Sequence, residues 1–387
     1  MSHKLQLPMK HIPLSLYIHL PWCIRKCPYC DFNSHVAPNT LPEAEYMTAL
    51  LEDLEQEWPR ADGRPLQSIF IGGGTPSLFS PHSIEQLLKK IAQRLKWAPQ
   101  IEITLEANPG TAEQQKFRDF HHNGINRLSI GVQSFNEQHL KKLGRIHNGS
   151  DAKKAIDIAH HVGFKNFNID LMYGLSQQKV DEALGDLETA ISLQPAHLSW
   201  YQLTLEPNTL FYQQSPPLPN QDDIFAMEQE GRQLLKVNSY QHYEVSAYAK
   251  PNYQCIHNNN YWQFGDYLAI GAGAHGKITA ANGDVIRYWK HKHPKQYLSS
   301  KNSFIAEEKI ITEKELPFEF MLNALRLQKP IAIDLFNRRT GLALSDILLP
   351  LTQAKEQGLL QWDNHSIETT ALGKKFLNDL LVIFMNH

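Results

Sequence analysis

Three of the four cysteines, Cys23, Cys27 and Cys30, fall within eight positions, and Cys255 stands alone. An odd trio this tight cannot be a disulfide framework, and in a reducing compartment it points to metal or redox chemistry. Soft thiolates select zinc or iron–sulfur clusters. Two readings follow. One is a structural zinc site completed by His19 or His35. The other is a four-iron cluster held at three corners, whose fourth iron keeps a position open for a ligand. A ligand with an amine and a carboxylate on adjacent atoms can chelate such an iron, and close glycine backbone can hydrogen-bond the amine. Glu106 suits ribose hydroxyls, and the planar fork of Arg145 suits a carboxylate.

These groups need a scaffold. From residue 14 onward, short β-branched or aromatic runs (14–20, 68–72, 102–107, 127–132, 166–171 and 197–203) alternate with helical-period stretches (42–56, 81–95, 113–123, 150–162 and 180–193). Ser80-Pro81 and Thr111 followed by Glu113 read as helix starts. Such βα repetition predicts a parallel sheet. Six units fall short of an eight-stranded barrel and predict a partial barrel or, alternatively, a doubly wound sheet. In a parallel barrel the working residues collect at the C-terminal strand ends. By that rule the cysteine loop, Gly72-Gly73-Gly74-Thr75, Glu106, Gln133, Asp170 and Thr204 share one rim. Each alone has a plainer reading: a tight turn for the glycines, an ion pair or helix cap for the carboxylates. The glycine run is no phosphate loop, because no Gly-Lys-Ser/Thr follows.

The 387 residues carry 38 Lys+Arg against 40 Asp+Glu, so no global positive field favours nucleic acid. No window approaches a membrane span, and residues 1–11 lack a secretory signal, which predicts a cytoplasmic protein. We divide the chain into a barrel core (1–240), a strand and loop extension (241–305) and a C-terminal α+β domain (306–387) that resembles a winged helix. That last segment carries nine Lys/Arg and eleven Asp/Glu, without the basic surface of a DNA reader.

Cys-x3-Cys-x2-Cys followed by Gly-Gly-Thr-Pro resembles the radical S-adenosylmethionine (SAM) superfamily. The strings Tyr17-Ile18-His19, Cys30-Asp31-Phe32-Asn33-Ser34, His257-Asn258-Asn259-Asn260-Tyr261-Trp262 and Gly273-Ala274-His275-Gly276 resemble its coproporphyrinogen dehydrogenase-like branch, and within it the heme-chaperone subgroup, essentially end to end. The resemblance implies a partial (β/α)6 radical-SAM barrel with Cys23, Cys27 and Cys30 as ligands of a [4Fe-4S] cluster. It places Tyr17, Tyr29, Gly73, Gly74, Thr75, Glu106, Gln133, Arg145 and Asp170, with Thr204 as a further addition, on SAM-binding positions. An electron delivered to the cluster would then cleave the sulfonium and give a 5′-deoxyadenosyl radical.

The dehydrogenases of this branch carry a further Cys where this chain has Phe32, and an N-terminal extension, whereas sixteen residues precede Tyr17 here. Radical decarboxylation needs a sequestered substrate. The expectation is therefore a carrier that binds heme and passes it to an acceptor protein, with His257 as the heme ligand and Cys255 as second choice. A radical oxidoreductase acting on a porphyrinogen is the alternative, and a zinc-stabilised binding module the third reading. The implied partners are a heme acceptor, membrane-associated or not, an electron donor for the cluster, and as an open option a second copy of the chain; nucleic acid is not among them.

Overall fold

The computed structural model describes residues 12–110, 114–300 and 302–385. Six strands alternate with helices: β1 Leu14–Leu20, α1 Glu43–Glu57, β2 Leu66–Gly73, α2 Pro81–Arg94, β3 Trp97–Ala107, α3 Phe117–His122, β4 Arg127–Gln133, α4 Glu137–Lys142, α5 Gly149–Val162, β5 Asn166–Tyr173, α6 Val180–Ser192 and β6 His197–Gln202, after which comes α7 Gln221–Val237. The local reasons are those the sequence offers. α2 opens with Ser80 accepting the Ser83 N–H and Pro81 in its first turn, and it buries Ile84, Leu87, Leu88 and Ile91 along one stripe. α5 is bracketed by a reciprocal Asn148/Asp151 cap and by left-handed Gly163. The helix start read at Thr111 and Glu113 lies outside the described residues, as do residues 1–11.

All six strands pair in parallel and in chain order. A seventh parallel strand, Asp266–Ile270, lies on the other side of β1. It comes from the segment read as an extension. Three antiparallel strands, His275–Thr279, Val285–Lys290 and Ile305–Ile311, continue the sheet beyond it, and Ala247–Ala249 and Gln241–Glu244 continue it beyond β6. The twelve-stranded sheet is open. It is also strongly curved, because Gly73 of β2 and Tyr201 of β6 line one cavity of about 370 Å³. On a flat sheet four strand spacings would hold them about 19 Å apart.

Alternation along the strands sorts the two faces. Leu14, Leu16, Ile18, Ile69, Ile71, Ile103, Leu105, Leu128, Ile130, Ile169, Leu171 and Leu198 are buried in one apolar core with the flanking helices. The intervening residues, Ser15, Tyr17 and His19 on β1 through Ser199 and Tyr201 on β6, are mostly polar and face the barrel interior. The C-terminal segment gathers Phe320, Phe336, Ile347, Leu351, Leu360, Ile367 and Phe384 into a second core. Its helices Leu316–Ala324, Ile333–Thr340 and Leu348–Glu356 precede a hairpin, Leu360–Trp362 with Ser366–Thr369, that forms the wing. The chain ends in two helices, Ala371–Lys375 and Leu377–Met385, broken at Phe376.

Candidate functional site

The cysteine loop leaves the barrel directly after β1 and is closed at its base. Trp22–Cys23 pairs in parallel with His35–Val36, and the Ala37 N–H reaches the Cys23 carbonyl at 2.8 Å. The glycine loop after β2 is joined to it by backbone: Gly74 N–H to Leu20 O and Thr75 N–H to Trp22 O, both 2.8 Å. A Cβ on Gly74 would lie 2.6 Å from the Trp22 carbonyl, so only glycine permits this approach. Just before the loop rejoins the barrel, the Asn33 amide donates to Ala272 O and Lys292 O, both at 2.9 Å. A Cβ on Gly273 would lie 2.1 Å from that amide. The glycine-dense run 270–276 is thus the seat of the cysteine loop.

Two contiguous cavities open on this rim. The first is lined by Cys23, Cys27, Cys30, Tyr29, Gly73, Gly74, Thr75, Glu106, Gln133, Arg145 and Asp170, together with Asn108, Ser129, Ser199 and Tyr201. The three thiols, none in a disulfide, face it. Burial raises Cys23 and Cys30 above the usual thiol value. Arg145 spans the far wall, with Nη2 at 2.7 Å from Asn108 Oδ1 and 2.6 Å from Gly131 O, and Nη1 at 3.7 Å from Cys27 Sγ. Gln133 sits at φ +72° beside a register shift between β4 and β5, and its Oε1 accepts from the Tyr201 hydroxyl at 2.7 Å. Such a backbone persists only where its surroundings fix it, and it turns the Gln133 side chain to the rim.

The carboxylates divide the cavity by character. Glu106 accepts the Gly73 N–H at 3.0 Å and is pushed up to about 8, first by desolvation and then by the charge of Asp170. Burial also raises Asp170, although Asn168 and Ser129 donate to it at 2.7 and 3.2 Å. Two buried carboxyls held this way suit a partner bringing hydroxyl donors or positive charge.

The donor set fits an iron–sulfur cluster better than a zinc ion. His19, one proposed fourth zinc ligand, uses both ring nitrogens: Nε2–H donates to Asn33 O at 2.9 Å, which leaves Nδ1 to accept from Tyr17 at 2.9 Å. His35 faces His293 instead, with ring centroids 5.1 Å apart. Among the described residues no three His, Cys, Asp or Glu side chains close on a single-ion site, and a cubane spreads its ligands wider than one ion does.

The second cavity, about 380 Å³, shares Phe32, Gly73 and Glu106 with the first and is walled by Tyr17, Phe70, Tyr261 and Tyr267. His257 lies at its floor on α8, Ile256–Trp262, whose first amides are received by Glu102 Oε1 at 3.0 and 3.3 Å. The His257 ring packs on Phe70 at 5.1 Å. Its Nδ1 is 3.1 Å from the Ser68 hydroxyl, which itself donates to Ser15 Oγ at 2.8 Å. Because that hydroxyl proton is committed, Nδ1 carries the imidazole proton and Nε2 keeps its lone pair. Burial drives His257 down to about 3, so the ring is neutral.

Most of the residues read from sequence meet here, with three differences in place. Tyr17 lines the aromatic cavity and not the cysteine one. Thr204 is exposed and lines neither, because Leu203 turns inward to pack with Leu143, Met172 and Leu175 and projects its neighbour outward. Cys255, second choice as heme ligand, is fully buried and faces Glu102 at 3.5 Å; burial lifts its thiol to about 12, and it lines neither cavity. Sequence reasoning overlooked Ser129, Ser199, Tyr201 and Phe70. Each lies two residues along its strand from a residue that faces the same interior, so strand alternation was the signal that could have found them.

Residues 17–187 match the Radical SAM superfamily and residues 311–376 the HemN C-terminal domain. The chain is 50% identical to the heme chaperone HemW of Haemophilus influenzae, covering 96% of this chain and 98% of that one. It is 49% identical to the Escherichia coli protein of the same name, with the same shares, and 32% identical to that of Bacillus subtilis, over 96% and 99%. Its fold is that of the coproporphyrinogen III oxidase HemN of Escherichia coli, with a TM-score of 0.82 and 23% identity over 97% of this chain and 90% of that one.

Proposed function

The chain belongs to the HemW family of the radical SAM superfamily, and on that footing we propose that it is a cytoplasmic heme carrier that holds a [4Fe-4S] cluster and SAM beside its cargo and delivers heme to an acceptor protein. The observation that carries the reading is His257: a neutral imidazole with Nδ1 anchored and Nε2 bare, set in the floor of an aromatic cavity that shares a wall with the three thiols. Heme iron takes such a nitrogen as an axial ligand, and the wall of Tyr17, Phe70, Tyr261 and Tyr267 suits a flat macrocycle.

Cys23, Cys27 and Cys30 would hold the cluster, which when reduced supplies an electron to a bound sulfonium. Glu106, Asp170, Gln133, Arg145 and the backbone of Gly73 and Gly74 would bind and orient SAM. Phe32, 62% exposed where the related dehydrogenases carry a further cysteine, leaves the mouth open to water, which favours carriage over radical oxidation.

The test is heme titration of the cluster-loaded protein followed by transfer to an apo-hemoprotein. His257→Ala should lower heme affinity at least tenfold while iron content stays at the wild-type value. Unchanged affinity removes His257 as the ligand, and conversion of coproporphyrinogen to protoporphyrinogen would replace the carrier reading with the enzymatic one.

A further inference from the structure

The aromatic cavity is polarised along its length. At its inner end it meets Glu106, the carboxyl shared with the cysteine cavity. At its mouth stands His275, exposed, with its ring stacked on Trp289 at 5.9 Å and 22°. Lys292 adjoins that mouth, because its carbonyl receives the amide of the cavity-lining Asn33, and burial followed by the Lys292 and Arg287 charges depresses His275. Arg287 is already engaged, with Nη1 at 2.9 Å from the hydroxyl of the cavity-lining Tyr267 and Nη2 at 2.6 Å from Glu319. Lys292 is not: its side chain is exposed, and among the described residues no carboxylate pairs with it. Its backbone is nevertheless fixed, because its carbonyl receives the Asn33 amide from the cysteine loop.

We infer that the Lys292–His275 edge is the carboxylate-recognition end of the cavity, and that it takes the two propionates of the heme while the apolar edge of the macrocycle points inward to Phe70 and Tyr17. This rests on the proposal that the cavity holds heme. The cations lie at one end only. Propionates turned inward would meet the buried Glu106 carboxyl and no cation, whereas turned outward they meet an unpaired ammonium, with the Arg287 guanidinium behind Tyr267 adding to the field. His275, a neutral donor beside Lys292, can give a hydrogen bond to the second carboxylate. The site therefore selects a porphyrin by its acidic side chains as well as by its iron.

The experiment compares iron protoporphyrin IX with its dimethyl ester, in which both carboxylates are masked, on wild-type protein, Lys292→Gln and His257→Ala. Wild type should bind the free acid about tenfold more tightly than the ester, the value of one charge-assisted contact. Lys292→Gln should lose that preference by weakening the free acid alone, and His257→Ala should weaken both ligands alike. Equal weakening of both ligands by Lys292→Gln, or no weakening of either, overturns the propionate assignment while leaving the carrier proposal standing. Failure of His257→Ala to change either affinity overturns the carrier site, and the edge assignment with it. Lys292 is exposed, so a circular dichroism spectrum matching wild type is expected and confirms that the variant is folded.

Discussion

At the scale of single residues, the sequence was readable where chemistry constrains type and spacing together. Cys23, Cys27 and Cys30 do line one cavity, and Glu106, Gln133, Arg145 and Asp170 meet them there. Cys255 was misjudged because a lone cysteine beside a histidine says nothing about which way either points; the start of α8 turns one to Glu102 and the other to the cavity. Replacing Cys23, Cys27 or Cys30 with Ala should therefore reduce bound iron to background after anaerobic reconstitution, whereas Cys255→Ala should retain it; iron analysis decides. Glu106 gives a pH prediction. Its folded value, pushed up to about 8, lies above its unfolded one near 4.5, so the native state holds the extra proton, and stability is lost as pH rises through that interval. Glu106→Gln removes the loss: its melting temperature relative to wild type should rise by about 2–4 °C between pH 5 and pH 8.5. A shift of the opposite sign would show that the carboxyl is ionised in the free protein. Because an arriving cation expels the same proton, SAM binding near pH 7 should release protons in wild type and fewer in Glu106→Gln, as read by calorimetry in buffers of different ionisation enthalpy.

At the scale of elements, the six βα units were legible because periodicity reports burial directly. The stretch read as helical over 150–162 is a helix over Gly149–Val162. α8 was not legible: Asn-rich sequence favours turns, yet here Glu102 receives the first amides and Asn260 donates to Ser15 and to the Asp266 carbonyl, replacing propensity with tertiary bonds. The parallel strand Asp266–Ile270 escaped notice because its partner, β1, lies some 250 positions earlier. The glycine-dense run beside it yields a prediction. Gly273 has φ +77° and no room for a Cβ against Asn33, so Gly273→Ala should cost about 1–3 kcal/mol. It should also loosen the cysteine loop, seen as a lower melting temperature together with faster iron loss to a chelator. A variant that melts lower but keeps its iron would show that Asn33 does not hold the loop.

At the scale of the whole molecule, the parts meet through buried charge that no local pattern announces. Lys290, from the antiparallel extension, lies 2.6 Å from both Asp53 and Glu57 of α1, and all three side chains are fully buried. The Tyr288 and Tyr297 hydroxyls donate to the same carboxylates, each at 2.7 Å. Lys290→Met would strand two buried acids and should destabilise the protein by about 3–5 kcal/mol in denaturant titrations. A loss below about 1 kcal/mol would mean that the acids are neutral without it. Among the described residues no helix is long and apolar enough to cross a membrane.

The segment bearing the three sulfurs leaves the barrel at Cys23 and rejoins it at His35 with its two ends bonded side by side and its returning end pinned at Asn33. Inside it, the Lys26 ammonium donates to the Phe32 and Ser34 carbonyls and the His19 ring holds the Asn33 carbonyl. The proposed cluster would therefore sit on a strap fastened to the sheet by bonds that involve none of its sulfurs, so stripping the metal with a chelator is expected to leave the base of that strap paired.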